Sequence, residues 1–153
     1  MSEFKKEVEV FYKLIGKYNK MVLATSANNR TTARMVSCII DSETIYFQTD
    51  KTFLKYEQIL ENSKVALCLS NIQIEGIASV LGHPMDKEHS FFAYSFEKYC
   101  TESFKSYTHL KNERLISVAI KEVTIWEYED KRPLRKFFDF EHQRYKLEYY
   151  NED

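Results

Sequence analysis

Apolar residues at helical spacing open the chain. From Glu3 to Tyr18 they recur every three or four positions while Lys and Glu fill the other face, which predicts an amphipathic helix with one stripe on a core. The same period predicts helices over 53–62 and 85–99 and a short helix over 103–110. We expect Thr52 to cap the second helix. The apolar positions of the first helix are Phe4, Val8, Phe11, Leu14, Ile15 and Tyr18.

Short apolar runs closed by polar turns predict a set of strands. "MVLATS" and "ARMVSCII" flank the polar turn "ANNRTT", so residues 21–40 predict a hairpin. "SETIYFQT", "KVALCLS" and "IQIEGIASVLG" predict three more strands, and Gly76 in the last of these indicates a bulge or a close backbone approach. "RLISVAIKEVTIWEYE" alternates well enough for one long strand or two bent ones. About six strands without a βαβ rhythm predict a mainly β fold, a six-stranded antiparallel split β-barrel with peripheral helices.

Composition narrows the class of protein. A length of 153 residues suits a single domain, with the barrel at roughly 15–128 and a C-terminal tail at 129–153. Twenty-two Lys and Arg against 23 Asp and Glu argue against a nucleic-acid partner, because such binding needs excess positive charge. The sequence has no membrane-spanning apolar run and no secretory signal, so we expect no membrane partner and a cytoplasmic location. Three cysteines without CxxC spacing and four scattered histidines predict no metal site.

The stretch "IYFQTDKTFLKYEQIL", residues 45–60, changes from strand to helical period halfway along. If the strands before it pair side by side, several polar residues converge at the start of the helix. A phosphate there would receive a guanidinium fork, an ammonium, a hydroxyl and the free N–H groups of the helix. The alternative is that the lysines only solvate an exposed helix face. The converging residues would be Arg34, Thr49, Lys51 and Lys55.

The order of these pieces resembles the pyridoxamine 5′-phosphate oxidase-like family, the FMN-binding split barrels. The pieces are "ATS", "ARMV", "FQT", Lys55, "NSKVALCL" and "GIA", and the likeness is best over residues 15–83. The resemblance implies a homodimer with FMN in clefts at the subunit interface, and an FMN-dependent oxidoreductase that uses a small-molecule substrate or electron donor. Two alternatives on the same fold stay open: a non-catalytic flavin-binding or stress-related module, and a barrel that binds haem or another planar ligand.

The resemblance also implies cofactor-binding residues, although it names no catalytic side chain. Arg34 and Lys55 would hold the FMN phosphate, with the planar arginine contributing most. Gln48 and Thr49 would contact the phosphate and ribityl end, and the backbone of 35–39 would run beside the isoalloxazine. The candidates for cofactor binding are Arg34, Met35, Val36, Ser37, Gln48, Thr49, Lys55, Asn71, Gln73 and Trp126.

Two positions depart from the pattern of the oxidases themselves. Leu54 stands where they usually carry a second phosphate arginine, so one phosphate cation is missing. The turn before "ARMV" lacks the glycine common in relatives, although Asn28 and Asn29 tolerate positive φ and can replace it. We therefore expect no pyridoxamine phosphate oxidation at a useful rate.

The segment after Trp126 allows two interpretations. In the oxidases a tryptophan of the last strands precedes two arginines that serve the flavin and the substrate phosphate, and Arg132 and Lys136 stand at similar spacing. Pro133 interrupts the strand pattern here. Alternatively, the segment is an amphipathic tail that packs on the partner subunit.

Overall fold

Eight strands make up most of residues 1–150, the part of the chain that this computed structural model describes. Their order in the antiparallel sheet is β3-β2-β1-β4-β5-β6-β7-β8, and β3 also pairs with β6. That pairing closes β1 to β6 into a barrel, so the predicted six-stranded antiparallel barrel is confirmed, with β7 and β8 as extra strands. The bounds are β1 Tyr18–Ala27, β2 Arg30–Asp41, β3 Thr44–Asp50, β4 Lys64–Leu69, β5 Ile72–Gly82, β6 Glu113–Glu129, β7 Arg132–Asp139 and β8 Arg144–Tyr149.

The hairpin of β1 and β2 is confirmed together with its turn. Pairing runs from Tyr18 opposite Ile39 to Ala27 opposite Arg30. Asn28 and Asn29 occupy the turn with φ of 51° and 63°. Two successive residues with positive φ match the twist of a β-hairpin, and asparagine accepts that conformation at low cost.

The first two helices differ from prediction at their ends. Helix α1 (Glu3–Ile15) ends before Tyr18, because Gly16 takes a φ of 73° and its N–H donates to Tyr12 O at 2.9 Å. Helix α2 (Leu54–Glu61) is preceded by Phe53, so the expected Thr52 cap is wrong. Thr52 instead donates from its backbone N and its hydroxyl to Asp50 Oδ1, both at 2.7 Å.

The region between β5 and β6 carries the remaining helices. Helix α3 (Ser90–Tyr99) begins five residues later than predicted, because a turn and a 3₁₀ segment (Lys87–His89) precede it. The short helix predicted over 103–110 is present with shifted bounds, as helix α4 (Thr101–Ser103) followed by a π-helix (Phe104–Thr108). None of the helices in residues 1–150 is long and apolar enough to cross a membrane.

Gly76 marks the close approach that its position in a strand predicts. The pairing of β5 with β6 shifts register between Glu75 and Gly76. A Cβ at Gly76 would lie 2.5 Å from Val118 Cγ1 and 2.7 Å from Ala119 O. The bulge therefore brings two backbones together where only glycine fits, and β6 continues past it as one long strand.

The segment after Trp126 is part of the sheet rather than a tail. β7 pairs with β6 and with β8, and Pro133 lies inside β7 opposite Tyr128. Phe140 just beyond β7 packs on Phe4 of α1, with ring centroids 5.4 Å apart. Within the predicted tail at 129–153, residues 132–149 contain β7 and β8, and the last three residues lie outside the described part.

The core fills the barrel, and a smaller cluster lies on the outside. Inward-facing side chains of the strands are buried and continue into the apolar stripe of α1. On the outer face, α3 places two buried phenylalanines on Ile39 of β2 and Leu115 of β6. This second cluster fixes α3 and the residues after it beside the ends of β2 and β3. Its buried members are Ile39, Phe92, Phe96 and Leu115.

Candidate functional site

A cavity of about 480 Å³ lies where β2, β3 and the start of β6 meet α2 and the segment after α3. We call it the Lys55 cavity. Six of the predicted cofactor residues line it together, from three elements that the fold brings side by side. From β2, β3 and α2 these are Met35, Val36, Ser37, Gln48, Thr49 and Lys55, and the other lining residues are Asp50, Phe53, Phe96, Ser103, Tyr107, Leu110 and Glu113.

Lys55 lies half-buried in this cavity without an ion-pair partner. Among residues 1–150 no carboxylate lies within salt-bridge distance of its ammonium, which is 4.8 Å from the centroid of the Phe53 ring. Burial and the charge of Arg34 lower the pKa of Lys55, while Glu113 and Asp50 raise it. A desolvated ammonium with no bonded counter-ion favours an anionic ligand.

The start of α2 adds backbone donors beside this ammonium. Phe53 O accepts from Tyr56 N at 3.1 Å and from Glu57 N at 3.3 Å. The amides of Leu54 and Lys55 make no backbone hydrogen bond within residues 1–150. These N–H groups are the free donors that a helix N-terminus offers to an anion.

Gln48 and Thr49 bring polar side chains to the wall formed by β3. Thr49 is buried, and among residues 1–150 the one acceptor of its hydroxyl is the carbonyl of its neighbour, Asp50 O, at 3.4 Å. Gln48 Oε1 accepts a hydrogen bond from the Thr108 hydroxyl at 2.8 Å. A ligand would therefore replace only a long hydrogen bond of the Thr49 hydroxyl. The side-chain oxygen of Gln48, by contrast, already accepts a hydrogen bond from Thr108.

Arg34 does not line the Lys55 cavity. Its Nη1 donates to Thr25 Oγ1 at 2.7 Å and to Leu23 O at 3.3 Å, and its Nη2 donates to Thr32 Oγ1. The Thr32 hydroxyl in turn donates to Gln58 Oε1 of α2 at 2.7 Å. The guanidinium thus connects β1 and β2 and, through Thr32, α2. Its effect on Lys55 is electrostatic: the positive charge lowers the pKa of Lys55.

The predicted convergence of four residues is therefore met in part. Thr49 and Lys55 line one cavity, whereas Arg34 is bound by its neighbours and Lys51 is exposed. Whether any of these residues binds FMN stays a prediction.

Glu113 is a cavity residue that the sequence did not indicate. It is 6% exposed, begins β6 and lies opposite Asp50 of β3. Within residues 1–150 its carboxylate makes no hydrogen bond or ion pair. Burial and Asp50 raise the pKa of Glu113, and Lys55 and His83 lower it. In the sequence, Glu113 comes just before an alternating apolar run, which predicts a nearby strand but no cavity.

Asn71, Gln73 and Trp126 lie in a second groove of about 210 Å³ that shares no lining residue with the Lys55 cavity. Asn71 Nδ2 donates to Trp126 O at 2.6 Å, and Trp126 N donates to Asn71 O at 3.2 Å. We call this surface the Trp126 groove. Its other walls are mostly apolar and come from β1, β4, β5 and the turn between β4 and β5: Val22, Ala24, Ala66, Leu67, Cys68, Ser70 and Ile72.

The basic residues after Trp126 lie outside the Lys55 cavity. Lys136 Nζ is 3.0 Å from Glu127 Oε2, and the Arg132 guanidinium carbon lies 3.8 Å above the Tyr149 ring. Lys136 of β7 thus contacts β6, and Arg132 of β7 contacts β8. Within this chain they do not join the cavity that holds Lys55.

Three side chains near the start of α3 have the spacing of a metal site. Asp86, Glu88 and His89 place ligand atoms within 4.8 Å of one another. The two acids are exposed, and His89 Nε2 is bonded to Leu81 O at 2.7 Å. Exposed acids of this kind are common without an ion, so this cluster carries no functional assignment.

Comparison with known proteins identifies the family. The sequence pattern that defines the family described as pyridoxamine 5′-phosphate oxidase matches residues 4–127. No curated protein sequence matches the chain.

Solved structures show the same fold at low identity. Campylobacter jejuni ChuZ superposes with a TM-score of 0.71 at 13% identity, over 92% of this chain and 62% of that one. HutZ, the haem storage protein of Vibrio cholerae, has a TM-score of 0.65 at 10% identity, over 85% and 99%. A pyridoxamine 5′-phosphate oxidase-related, FMN-binding protein of Nostoc punctiforme has a TM-score of 0.59 at 14% identity, over 99% and 98%. These likenesses show the fold alone, but the sequence match spans most of β1 to β6, and the chain therefore belongs to the pyridoxamine 5′-phosphate oxidase family.

Proposed function

We propose that the Lys55 cavity binds FMN and that the protein is an FMN-dependent oxidoreductase acting on a small molecule. The observation that carries the proposal is a half-buried ammonium without a bonded counter-ion, placed beside free amides at the start of α2. Arg34, whose guanidinium is bonded to Thr25 and Thr32, adds a positive charge that acts on Lys55. A phosphate ester has the charge and the acceptor oxygens that such a group of donors satisfies.

The rest of the cavity suits a flat cofactor attached to that phosphate. Its volume of about 480 Å³ lies within the range of cofactor sites. The wall beyond Lys55 is the edge of β2 at 35–37, and Phe96 and Tyr107 supply aromatic surface. When bound, FMN supplies hydride and electron chemistry. The protein's part is to hold the phosphate, orient the ring along β2 and exclude water.

A homodimer is part of the proposal. The resemblance assigns Asn71 and Trp126 to the flavin site, yet in one chain they line a groove separate from Lys55. A second copy on the Trp126 groove could bring the two sets of residues together. Apolar walls on that groove support burial against protein. The cytoplasmic location likewise stays a prediction.

The first experiment is the visible absorption spectrum of the purified protein, with any pigment released and identified. We expect FMN. The stripped protein is then titrated with FMN and with riboflavin, followed by flavin fluorescence, and we expect FMN to bind more tightly because only it carries the phosphate. Equal affinity for both flavins would remove the phosphate site, and haem as the released pigment would favour the haem-binding alternative.

A further inference from the structure

Glu113 lines the Lys55 cavity without a bonded partner of its own. The residue is 6% exposed, and within residues 1–150 its carboxylate makes no hydrogen bond or ion pair. Arg135 Nε is the only buried side-chain polar atom in that range without a hydrogen-bond partner, so the oxygens of Glu113 reach the open cavity. The carboxylate therefore faces the space where the proposed phosphate would lie.

The charged surroundings of Glu113 are of mixed sign. Asp50 and burial favour its neutral form, whereas Lys55 and His83 favour the carboxylate. Arg34 acts on the same cavity through its effect on Lys55. The Arg114 guanidinium points to backbone carbonyls, at 3.0 Å from Lys111 O and 2.7 Å from Glu113 O. The titratable and charged groups around the carboxyl are Asp50 from β3, Lys55 from α2, His83 after β5, and Tyr107 before β6.

We propose that Glu113 is the resident counter-charge of Lys55 and takes up a proton from solvent when the phosphate of a flavin enters the cavity. The inference rests on the proposed function. Without ligand, the carboxylate partly balances the ammonium from inside the cavity, together with Asp50. A dianionic phosphate near Lys55 would place like charges in one desolvated space, which favours the neutral acid. The only bond formed in this step is the O–H bond of the carboxyl.

Proton uptake makes FMN affinity depend on pH in a direction that can be worked out. Above the pKa of Glu113 in the free protein, binding must add a proton, so affinity falls by up to about tenfold for each pH unit. The phosphate has its own second pKa near about 6, and its ionisation strengthens binding as pH rises. Because the ligand is the same for every variant, the ratio of affinities between wild type and Glu113→Gln cancels that contribution.

The test is a fluorescence titration of the stripped wild type, Glu113→Gln and Glu57→Gln with FMN and with riboflavin between pH 5 and 8. We expect Glu113→Gln to bind FMN roughly tenfold more tightly than wild type at pH 8 and about equally at pH 5. Riboflavin affinity should not change. Glu57→Gln is the control for net charge, because Glu57 is an exposed acid on the same helix as Lys55, and it should behave as wild type.

A second measurement follows the proton directly. Calorimetry of FMN binding at several pH values between 5 and 8, in two buffers of different ionisation enthalpy, should show that wild type takes up more protons than Glu113→Gln. The ionisation of the phosphate cancels from that difference. An unchanged affinity ratio across pH, or equal proton uptake by the two proteins, would overturn the role of Glu113 while leaving FMN binding intact. Failure of wild type to bind FMN would overturn the proposed function and this inference together.

Discussion

The Lys55 cavity and the Trp126 groove are built from the same sheet but present opposite chemistry. The cavity holds an ammonium and a carboxylate that have no bonded partners within residues 1–150, and it lies at the strand ends beside α2. The groove has apolar walls, and its main polar group, Asn71, is already bonded to Trp126. Desolvated charges are costly unless a charged ligand arrives, whereas apolar walls gain from any cover that excludes water. This difference is the reason for proposing a small anion for the first site and protein for the second.

The largest expected effect comes from placing a charge in the groove. Ala66→Glu adds a carboxylate between Ala24 and the bulge strand β5, and burying it unpaired in an interface costs several kcal/mol. That corresponds to more than about a hundredfold in the dissociation constant of a dimer. Light scattering at micromolar concentration should then give a monomer mass where wild type gives a dimer.

Gln143→Glu is the matched control, because Gln143 is exposed in the turn between β7 and β8 and lines neither the Trp126 groove nor the Lys55 cavity. We expect it to remain a dimer. A monomer mass for the wild type would contradict the assignment of protein to this groove and would remove the proposed interface.

The next effect compares two cations of the proposed phosphate site. Lys55→Ala removes the charge inside the cavity and should weaken FMN by on the order of tenfold to a hundredfold, since a charge-assisted bond contributes about 1.5–3 kcal/mol. Arg34→Ala should weaken FMN less, because its guanidinium is bonded to Thr25 and Thr32. Flavin fluorescence titration with FMN and riboflavin measures both.

This ranking reverses the expectation from sequence, where the arginine fork contributed most. Lys51→Ala is the control, because Lys51 is exposed and does not line the cavity. A larger loss for Arg34→Ala than for Lys55→Ala would mean that the guanidinium exchanges its threonine partners for the phosphate on binding.

The smallest effect is expected for charges that face solvent. Glu75, Glu122 and Asp139 lie side by side on β5, β6 and β7. Slight burial, Glu75 and Asp139 raise the pKa of Glu122. A raised pKa means that the folded protein binds the proton more tightly, so this carboxyl costs stability as pH rises through its pKa. Glu122→Gln should therefore raise the melting temperature by at most a few degrees near pH 8 and leave it unchanged near pH 4.

Glu127→Gln provides the opposite case on the same strand. It removes the contact with Lys136 at 3.0 Å and should lower the melting temperature near pH 8. If both substitutions shift the melting temperature in the same direction, the carboxylate row on β5, β6 and β7 is not the cause.

The strands of the barrel could be predicted from the sequence because apolar and polar residues alternate where one face of a strand is buried. Strands such as β3 bury every second residue, and that period can be read without any knowledge of neighbours. The turn of the first hairpin could also be predicted, because Asn28 and Asn29 belong to the few residue types that accept positive φ at two successive positions. β7 was missed because Pro133 and several basic residues masked a strand that buries only Leu134 and Phe138.

The site was harder to predict because it depends on partners that are distant in sequence. The direction of Arg34 is set by hydroxyls of Thr25 and Thr32 and by Gln58 on α2, and no local pattern contains that information. Glu113 becomes a cavity residue only when β6 closes the barrel against β3. Lys55 could be placed because the change from strand to helical period over residues 45–60 fixes its helix.

The aromatic contact between α1 and the end of β7 has a consequence for the order of folding. Phe11 lies 5.8 Å from Phe138 and Phe4 lies 5.4 Å from Phe140, measured between ring centroids. The apolar stripe of α1 thus finds part of its cover in residues more than a hundred positions away. Such distant pairing slows folding, because a long loop must close before the contact forms. On a ribosome, α1 would emerge early and remain incompletely covered until β7 has been synthesised.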